Sequence, residues 1–253
     1  MKLYEICFSP TGGTKKAASI LLNGLGGELV TVDLTDSQAN FSQLNLAPDD
    51  VALIAVPSYS GRVPAVAVER LSAIKANGAR AVLLCVYGNR AYEDTLVELE
   101  DAAKACGFNT VAAVAAIAEH SVVRDIAAGR PDEADRAALA GFAARIREKL
   151  DSGSVDTPAI PGNRPYRKAG GSGMVPAAGE DCIRCGLCAQ QCPVQAIDSA
   201  DPTQTDGTKC ISCMRCVAIC PVGARKLNPD MQAAVSKMLH KACTEHRECE
   251  LYI

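Results

Sequence analysis

A chain of 253 residues with 48% apolar residues and a net charge of −3 has room for one medium domain and a small one, and it lacks the basic excess of a nucleic-acid binder. Aromatic residues make up only 4% and Trp is absent, so Ala, Val, Leu and Ile must fill the core. No apolar run approaches the ~18–20 residues of a membrane helix, and no charged–apolar–small pattern marks a secretory signal, so a cytoplasmic location without a membrane span is expected.

The first 150 residues alternate short apolar strands with helices. "KLYEICFS" runs into "PTGGT" and a helix from about Thr14 to Leu25, stopped by Gly26-Gly27. "ELVTVDL" is a second strand and "VALIAVP" a third, followed by a helix opened at Pro64 that carries Val68, Leu71 and Ile74. "RAVLLCVYG" is a fourth strand. The helix after it sets Leu96, Leu99, Ala103 and Cys106 near one face, with Gly107 at a C-cap position. "TVAAVAAIA" is a fifth strand, and a last helix after Pro131-Asp132 spaces Leu139, Phe142, Ile146 and Leu150. Strands alternating with helices predict a parallel sheet covered on both faces. Of the common doubly wound orders, the flavodoxin-like 2-1-3-4-5 suits five strands best. Ligands of such sheets bind beyond the carboxyl ends of the strands, which singles out Ser9–Thr14, Ser58–Arg62, Tyr87–Tyr92 and Glu119–Ser121. The expected organisation is a domain over 1–150, a Pro/Gly-rich linker lying on the surface over 151–175, a cysteine domain over 176–230, and a C-terminal helix and tail over 231–253.

Cysteine usage gives the sharpest signal. The chain has 13 Cys, eight of them between Cys182 and Cys220, and a reducing location favours metal over disulfides. "CIRCGLCAQQCP" and "CISCMRCVAICP" repeat C-x2-C-x2-C-x3-C-P, the bacterial ferredoxin run that holds [4Fe–4S] clusters. Three thiolates at short intervals wrap one cube and the fourth reaches the other. Cys182, Cys185, Cys188 and Cys220 are therefore assigned to one cluster, and Cys210, Cys213, Cys216 and Cys192 to the second. Structural zinc would call for paired C-x2-C units or His, which the repeat lacks. Cys7, Cys85 and Cys106 read as small buried hydrophobes. Cys243 and Cys249, near His240 and His246, follow no standard metal spacing.

The turn "SPTGGT" offers hydroxyls and a helix N-terminus to a phosphate, without the Gly-Lys-Ser/Thr of a nucleotide-hydrolysing loop or a dinucleotide fingerprint. It resembles the S/T-x-T-G-x-T phosphate loop of flavodoxins, and "PSYSGRVP" and "VYGNRAYED" resemble that family's two flavin loops. Together with the cysteine repeat, "AEHSVVRDIAAGRPDEAD" and the "CELYI" ending, the chain resembles the flavodoxin–ferredoxin fusion proteins of anaerobic bacteria and archaea. The resemblance implies FMN bound through Ser9, Thr11, Gly12, Gly13 and Thr14 at the phosphate. At the ring it implies Ser58, Tyr59, Ser60 and Gly61 from one loop and Tyr87, Gly88, Asn89, Arg90 and Tyr92 from the other, with Tyr59 or Tyr87 stacking.

Two functions follow. One is an electron-transfer protein passing electrons between two [4Fe–4S] clusters and FMN, with a redox protein as partner. The other is an FMN-dependent reductase of a small molecule fed by its own clusters, with His120 as proton donor. A loop His bonded to backbone is the plainer role for His120. Arg62 and Arg90 are candidates to offset charge on a reduced flavin, or ordinary solvated charges, and Lys15-Lys16 reads as a solvated helix face beside the phosphate. Over 176–230 five cations face six acids, too even a balance for a freely diffusing acidic ferredoxin.

Overall fold

The computed structural model of the protein describes residues 1–170 and 173–253. Its first half runs β1 (Lys2–Cys7), α1 (Gly13–Leu25), β2 (Glu28–Asp33), β3 (Val51–Pro57), α2 (Ala65–Ser72), β4 (Arg80–Tyr87), α3 (Thr95–Ala105), β5 (Asn109–Ile117) and α4 (Glu133–Asp151). The five strands pair in parallel in the order β2-β1-β3-β4-β5, the doubly wound arrangement expected. β3, β4 and β5 are buried along nearly their whole length because helices cover both faces, whereas β2 alternates with solvent at the edge. α1 and α4 pack on each other, α2 on α3. At the first crossing a Cβ on Gly24 would lie 2.5 Å from that of Ala143, so only glycine permits the approach. α4 opens on a reciprocal cap between Asp132 and Asp135.

The sheet is larger than the five strands expected. A sixth strand, contributed by the C-terminal tail (Glu250–Tyr252), pairs antiparallel with β5, setting Ala113 opposite Tyr252 and Ala115 opposite Glu250. The tail thus returns to the N-terminal domain and covers an edge that would otherwise expose unpaired backbone.

Between the two halves of this sheet the chain forms a small second unit. β6 (Ala177–Ala178) pairs with β7 (Arg225–Lys226), and two short helices, α5 (Leu187–Gln190) and α6 (Arg215–Ala218), each begin at a left-handed residue, Gly186 and Met214. The C-terminal strand is accordingly β8, preceded by α7 (Pro229–Ala242). A separate apolar cluster joins the second unit to the loop after β5. Val122, Val123 and Ile126 meet Met214, Leu227 and Leu239 there.

Within the mostly exposed segment over 151–175, residues 162–167 form a strap fastened along α3, and Gly171 and Ser172 lie outside the described residues. Asp94, 1% exposed, accepts from the backbone N–H and carboxamide of Asn163 at 2.8 and 3.0 Å and from Arg167 N–H at 2.7 Å. Arg164 forks onto Asp101 at 2.7 and 2.8 Å. Gly162 lies so close to α3 that a Cβ would meet Val97 at 2.3 Å. No helix among the described residues is long and apolar enough to cross a membrane.

Candidate functional site

The loops at the carboxyl edge of the sheet open onto one cavity of about 1250 Å³. On the sheet side its wall is formed by Thr11, Gly13 and Thr14 after β1, by Ser58, Tyr59, Ser60 and Gly61 after β3, by Tyr87, Gly88 and Arg90 after β4, and by Glu119, His120 and Ser121 after β5. The opposite wall comes from elsewhere in the sequence: Arg167 of the strap on α3 with Ala169 and Gly170 after it, Thr208 to Ser212 of the second cysteine run, and Val235, Met238 and Leu239 of α7. Sequence reasoning found the first wall through the strand-end rule. It missed the second, since nothing local in α7 or the strap announces what they cover.

The turn after β1 is built as a cradle. Gly12 caps α1 in the left-handed region at φ 88°, and a Cβ on Gly13 would sit 3.2 Å from Ala118. Ser9 accepts Lys15 N–H on its hydroxyl at 3.0 Å and donates its own N–H to Thr35 Oγ1 at 2.8 Å, which fixes the turn rather than lining the cavity. Thr11 and Thr14 are the hydroxyl residues of this turn in the cavity wall. Lys15 is not a simple solvated charge, since its ammonium pairs with the buried Glu5 carboxylate on β1.

In the loop after β3, Tyr59 and Arg62 close a tight backbone bridge at 2.9 and 3.1 Å, and a Cβ on Gly61 (φ 78°) would strike Glu93. Ser58 turns its hydroxyl to Thr95 Oγ1 at 2.7 Å. Arg62 forks onto Glu98 at 2.7 and 2.8 Å and lies 4.9 Å over the Tyr166 ring, so its charge is already met. Arg90 pairs with Glu93 at 3.0 Å, and Glu93 also takes Arg167.

Two residues of the loop after β4 point away from the cavity. Asn89 bonds the tail backbone, and the Tyr92 hydroxyl meets Glu250 and Tyr252 at 2.9 and 2.7 Å. Tyr87 stands edge-on to Tyr92 at 5.3 Å, and burial, with Glu250 adding to it, pushes its phenol far up. Tyr59 is half-buried on the cavity wall. Burial, with the Cys213 sulfur adding to it, holds its phenol well above the ordinary range.

His120 lies against Gly88, where a Cβ would touch its ring at 2.4 Å. Its Nδ1 accepts the N–H groups of Val122 and Val123 at 3.2 and 3.1 Å. Burial, and then Arg90, lower its pKa. The ring is therefore held neutral, with only Nε2 left as a donor.

The cysteine runs fold as matched halves. Ala196 N–H donates to Cys192 Sγ at 3.3 Å and Ala224 N–H to Cys220 Sγ at 3.2 Å, the same bond in both repeats. Cys192 is carried across to the second run: Cys192, Cys210, Cys213 and Cys216 all line one small apolar cavity. Burial first, with the sulfurs of Cys192 and Cys210 adding to it, pushes the Cys213 thiol up to about 12 and the Cys216 thiol to about 11. Sulfurs gathered around one cavity suit a cube with a thiolate at each corner iron. Cys210 and Ile211 line this cavity and the larger one as well. Among the described residues no three His, Cys, Asp or Glu side chains converge as ligands of a single ion would. Cys243 lies 4.0 Å from Gly88 O and Cys249 bonds Asp135 Oδ1 at 3.4 Å, so the tail cysteines face different partners. Cys7 and Cys85 are buried in their strands and Cys106 half-buried with its thiol on Leu71 O, as expected of small hydrophobes.

Residues 181–224 match the family model described as a 4Fe-4S dicluster domain. The chain joins a flavodoxin-like fold to a ferredoxin-type iron–sulfur domain. Its first part is similar in structure to a Streptococcus pneumoniae TIGR4 flavodoxin (16% identity, 60% of this chain and 99% of that one, TM-score 0.41). It is also similar to a flavodoxin from the domain Archaea (14%, 60% and 99%, 0.44). A third likeness is to the Flv1 flavodiiron core of Synechocystis sp. PCC6803 (12%, 61% and 37%, 0.43). The flavodoxin-like assignment of the fusion stands on its own strand order. Comparison with curated protein sequences found no match.

Proposed function

We propose that the fusion is an electron-transfer protein in which FMN occupies the large cavity and exchanges electrons with two [4Fe–4S] clusters held by the cysteine runs. FMN takes electrons singly or in pairs and the clusters take one at a time, so the three centres together convert between the two kinds of step. The observation that carries this reading is Cys210, which lines the cysteine cavity on one side and the sheet-edge cavity on the other.

The chain's own residues divide the work. Thr11, Gly13, Thr14 and the N-terminus of α1 receive the phosphate, where the helix dipole and free N–H groups favour an anion. Tyr59, on the cavity wall, is the tyrosine assigned to the ring, since Tyr87 is engaged with Tyr92. The strap and α7 cover the site and exclude water. His120 offers an Nε2–H hydrogen bond rather than a labile proton. The partner is a one-electron redox protein.

The test is cofactor content in protein made and purified anaerobically, beside the Thr14→Val variant. Flavin and iron together in the parent, with flavin lost and iron kept in the variant, are expected. Iron-loaded protein with no affinity for FMN would refute the reading.

A further inference from the structure

Resting on that electron-transfer reading, the structure also points to an order between the two clusters. The second cysteine run carries two cations where the first has apolar residues. Arg215 in the second run stands where the first has Leu187, and Arg225 stands where the first has Ile197. Arg225 is 2% exposed. Its guanidinium donates to Pro176 O at 2.9 Å, to Thr205 Oγ1 at 2.6 Å and to Pro202 O. Arg215 lines the cavity of Cys192, Cys210, Cys213 and Cys216, and donates to Pro10 O at 3.1 Å and Gln191 Oε1 at 2.5 Å.

All of these partners are neutral oxygens, and in both side chains the Nε–H is buried with no acceptor. Among the described residues, the only unpartnered buried nitrogens of cationic side chains are these two. A buried guanidinium without a counter-charge is costly, and buried cations in folded proteins are as a rule paired with an anion. Pro176 and Thr205, which accept hydrogen bonds from Arg225, line the same cavity as the four cysteines. A cube ligated by four thiolates is a net anion and becomes more so with each electron. It therefore supplies the missing counter-charge, and reduction strengthens the pairing. The first run itself contributes one cation, Arg184, which is 67% exposed and faces Asp201, where solvent screens it.

We propose that Arg215 and Arg225 are the charge partners of the cluster on Cys192, Cys210, Cys213 and Cys216, and that they raise its potential above that of the other cluster. One electron from a low-potential protein donor enters at the first run, where Cys185 and Ile183 are exposed. It then moves to the second cluster. The first cluster is oxidised and the second reduced by that one electron, with no bond made or broken, and the electron comes to rest beside the large cavity. Arg215, through Pro10, also ties this cluster's surroundings to the phosphate turn.

The experiment is an anaerobic redox titration of the full-length holoprotein, with the clusters followed by low-temperature paramagnetic resonance. Arg225→Met and Arg215→Gln are titrated beside the parent, and iron and sulfide content serve as the folding control. Two separate cluster waves are expected in the parent. Each substitution should lower the upper wave by at least tenfold in reduced-to-oxidised ratio, about 59 mV for a one-electron centre, and leave the lower wave in place. Coincident waves in the parent, an unmoved upper wave, or a shift confined to the lower wave would overturn the proposal. If Arg225→Met fails to load iron, Arg215→Gln decides alone. Failure of the electron-transfer reading looks different: flavin or iron would be missing from the parent itself.

Discussion

Asn89 and Arg247, far apart in sequence, are joined by a hydrogen bond from the Arg247 N–H to Asn89 Oδ1 at 3.1 Å, and Asn89 Nδ2 donates to Glu245 O at 2.8 Å. One carboxamide thus staples the tail to the loop after β4, directly beside Gly88 and Arg90 in the cavity wall. Asn89 adopts φ 62°, a left-handed conformation that glycine keeps without strain. Asn89→Gly therefore removes the staple and spares the turn. It is expected to cost about 1–2 kcal/mol of stability and to weaken FMN binding. Denaturant unfolding and a flavin fluorescence titration measure the two effects.

Asp94 makes the strap part of the cavity. Burial acts to raise its carboxyl, but hydrogen bonds from Arg167 and Asn163 prevail and hold it below its ordinary 3.8. Asp101 is likewise lowered, by its bonds to Arg164 first. For depressed carboxylates the stabilisation is complete above pH 3.8 and fades as the pH falls through the lower folded values. The strap should therefore hold at pH 5 and 7 and loosen only in stronger acid. At neutral pH, Asp94→Ala should strand the N–H donors at a cost of about 2–3 kcal/mol and open the bonds after Arg167 and Lys168 to trypsin. Unchanged cleavage would count against the strap's role.

The buried pair of Arg130 and Asp135, 5% and 1% exposed, anchors the start of α4 and, through Arg130 Nη1 to Arg247 O at 2.7 Å, the tail. Asp135→Asn leaves a buried guanidinium short of its partner. It is expected to lower stability by about 3–5 kcal/mol in chemical denaturation.

His120 should remain neutral through the physiological range. Its folded pKa lies below 6.5, owing to burial and then Arg90. The stability linked to it is therefore present above pH 6.5 and declines as the pH falls through the lower folded value. Nitrogen-15 resonances of the ring should show the Nε2–H tautomer at pH 6.5. A half-protonated ring at that pH would contradict the assignment.

Local signals made much of this molecule legible. The five parallel strands announced themselves as short runs alternating with helical periods, and the cysteine runs by their spacing alone. β8 was hidden, since "ELY" is three residues with no turn around it and becomes a strand only when β5 offers an edge. The hold of the strap on α3 was not legible, because it comes from Asn163, Arg164 and Arg167 bonding Asp94 and Asp101, contacts that carry no periodicity. Asn89 and Tyr92 sit in the loop expected at the flavin, yet the unforeseen tail claims both side chains. Position along a loop is written in sequence, but the direction of a side chain depends on what packs behind it.

The proposed electron transfer runs between flavin and clusters within one chain, across the wall at Cys210. Its most direct measurement is the kinetics of flavin reduction after the clusters of FMN-loaded protein are rapidly reduced in an anaerobic flash experiment. A first-order rate that does not change with protein concentration is predicted, because transfer occurs within one chain. A rate proportional to protein concentration, or a flavin that stays oxidised while the clusters are reduced, would contradict the account.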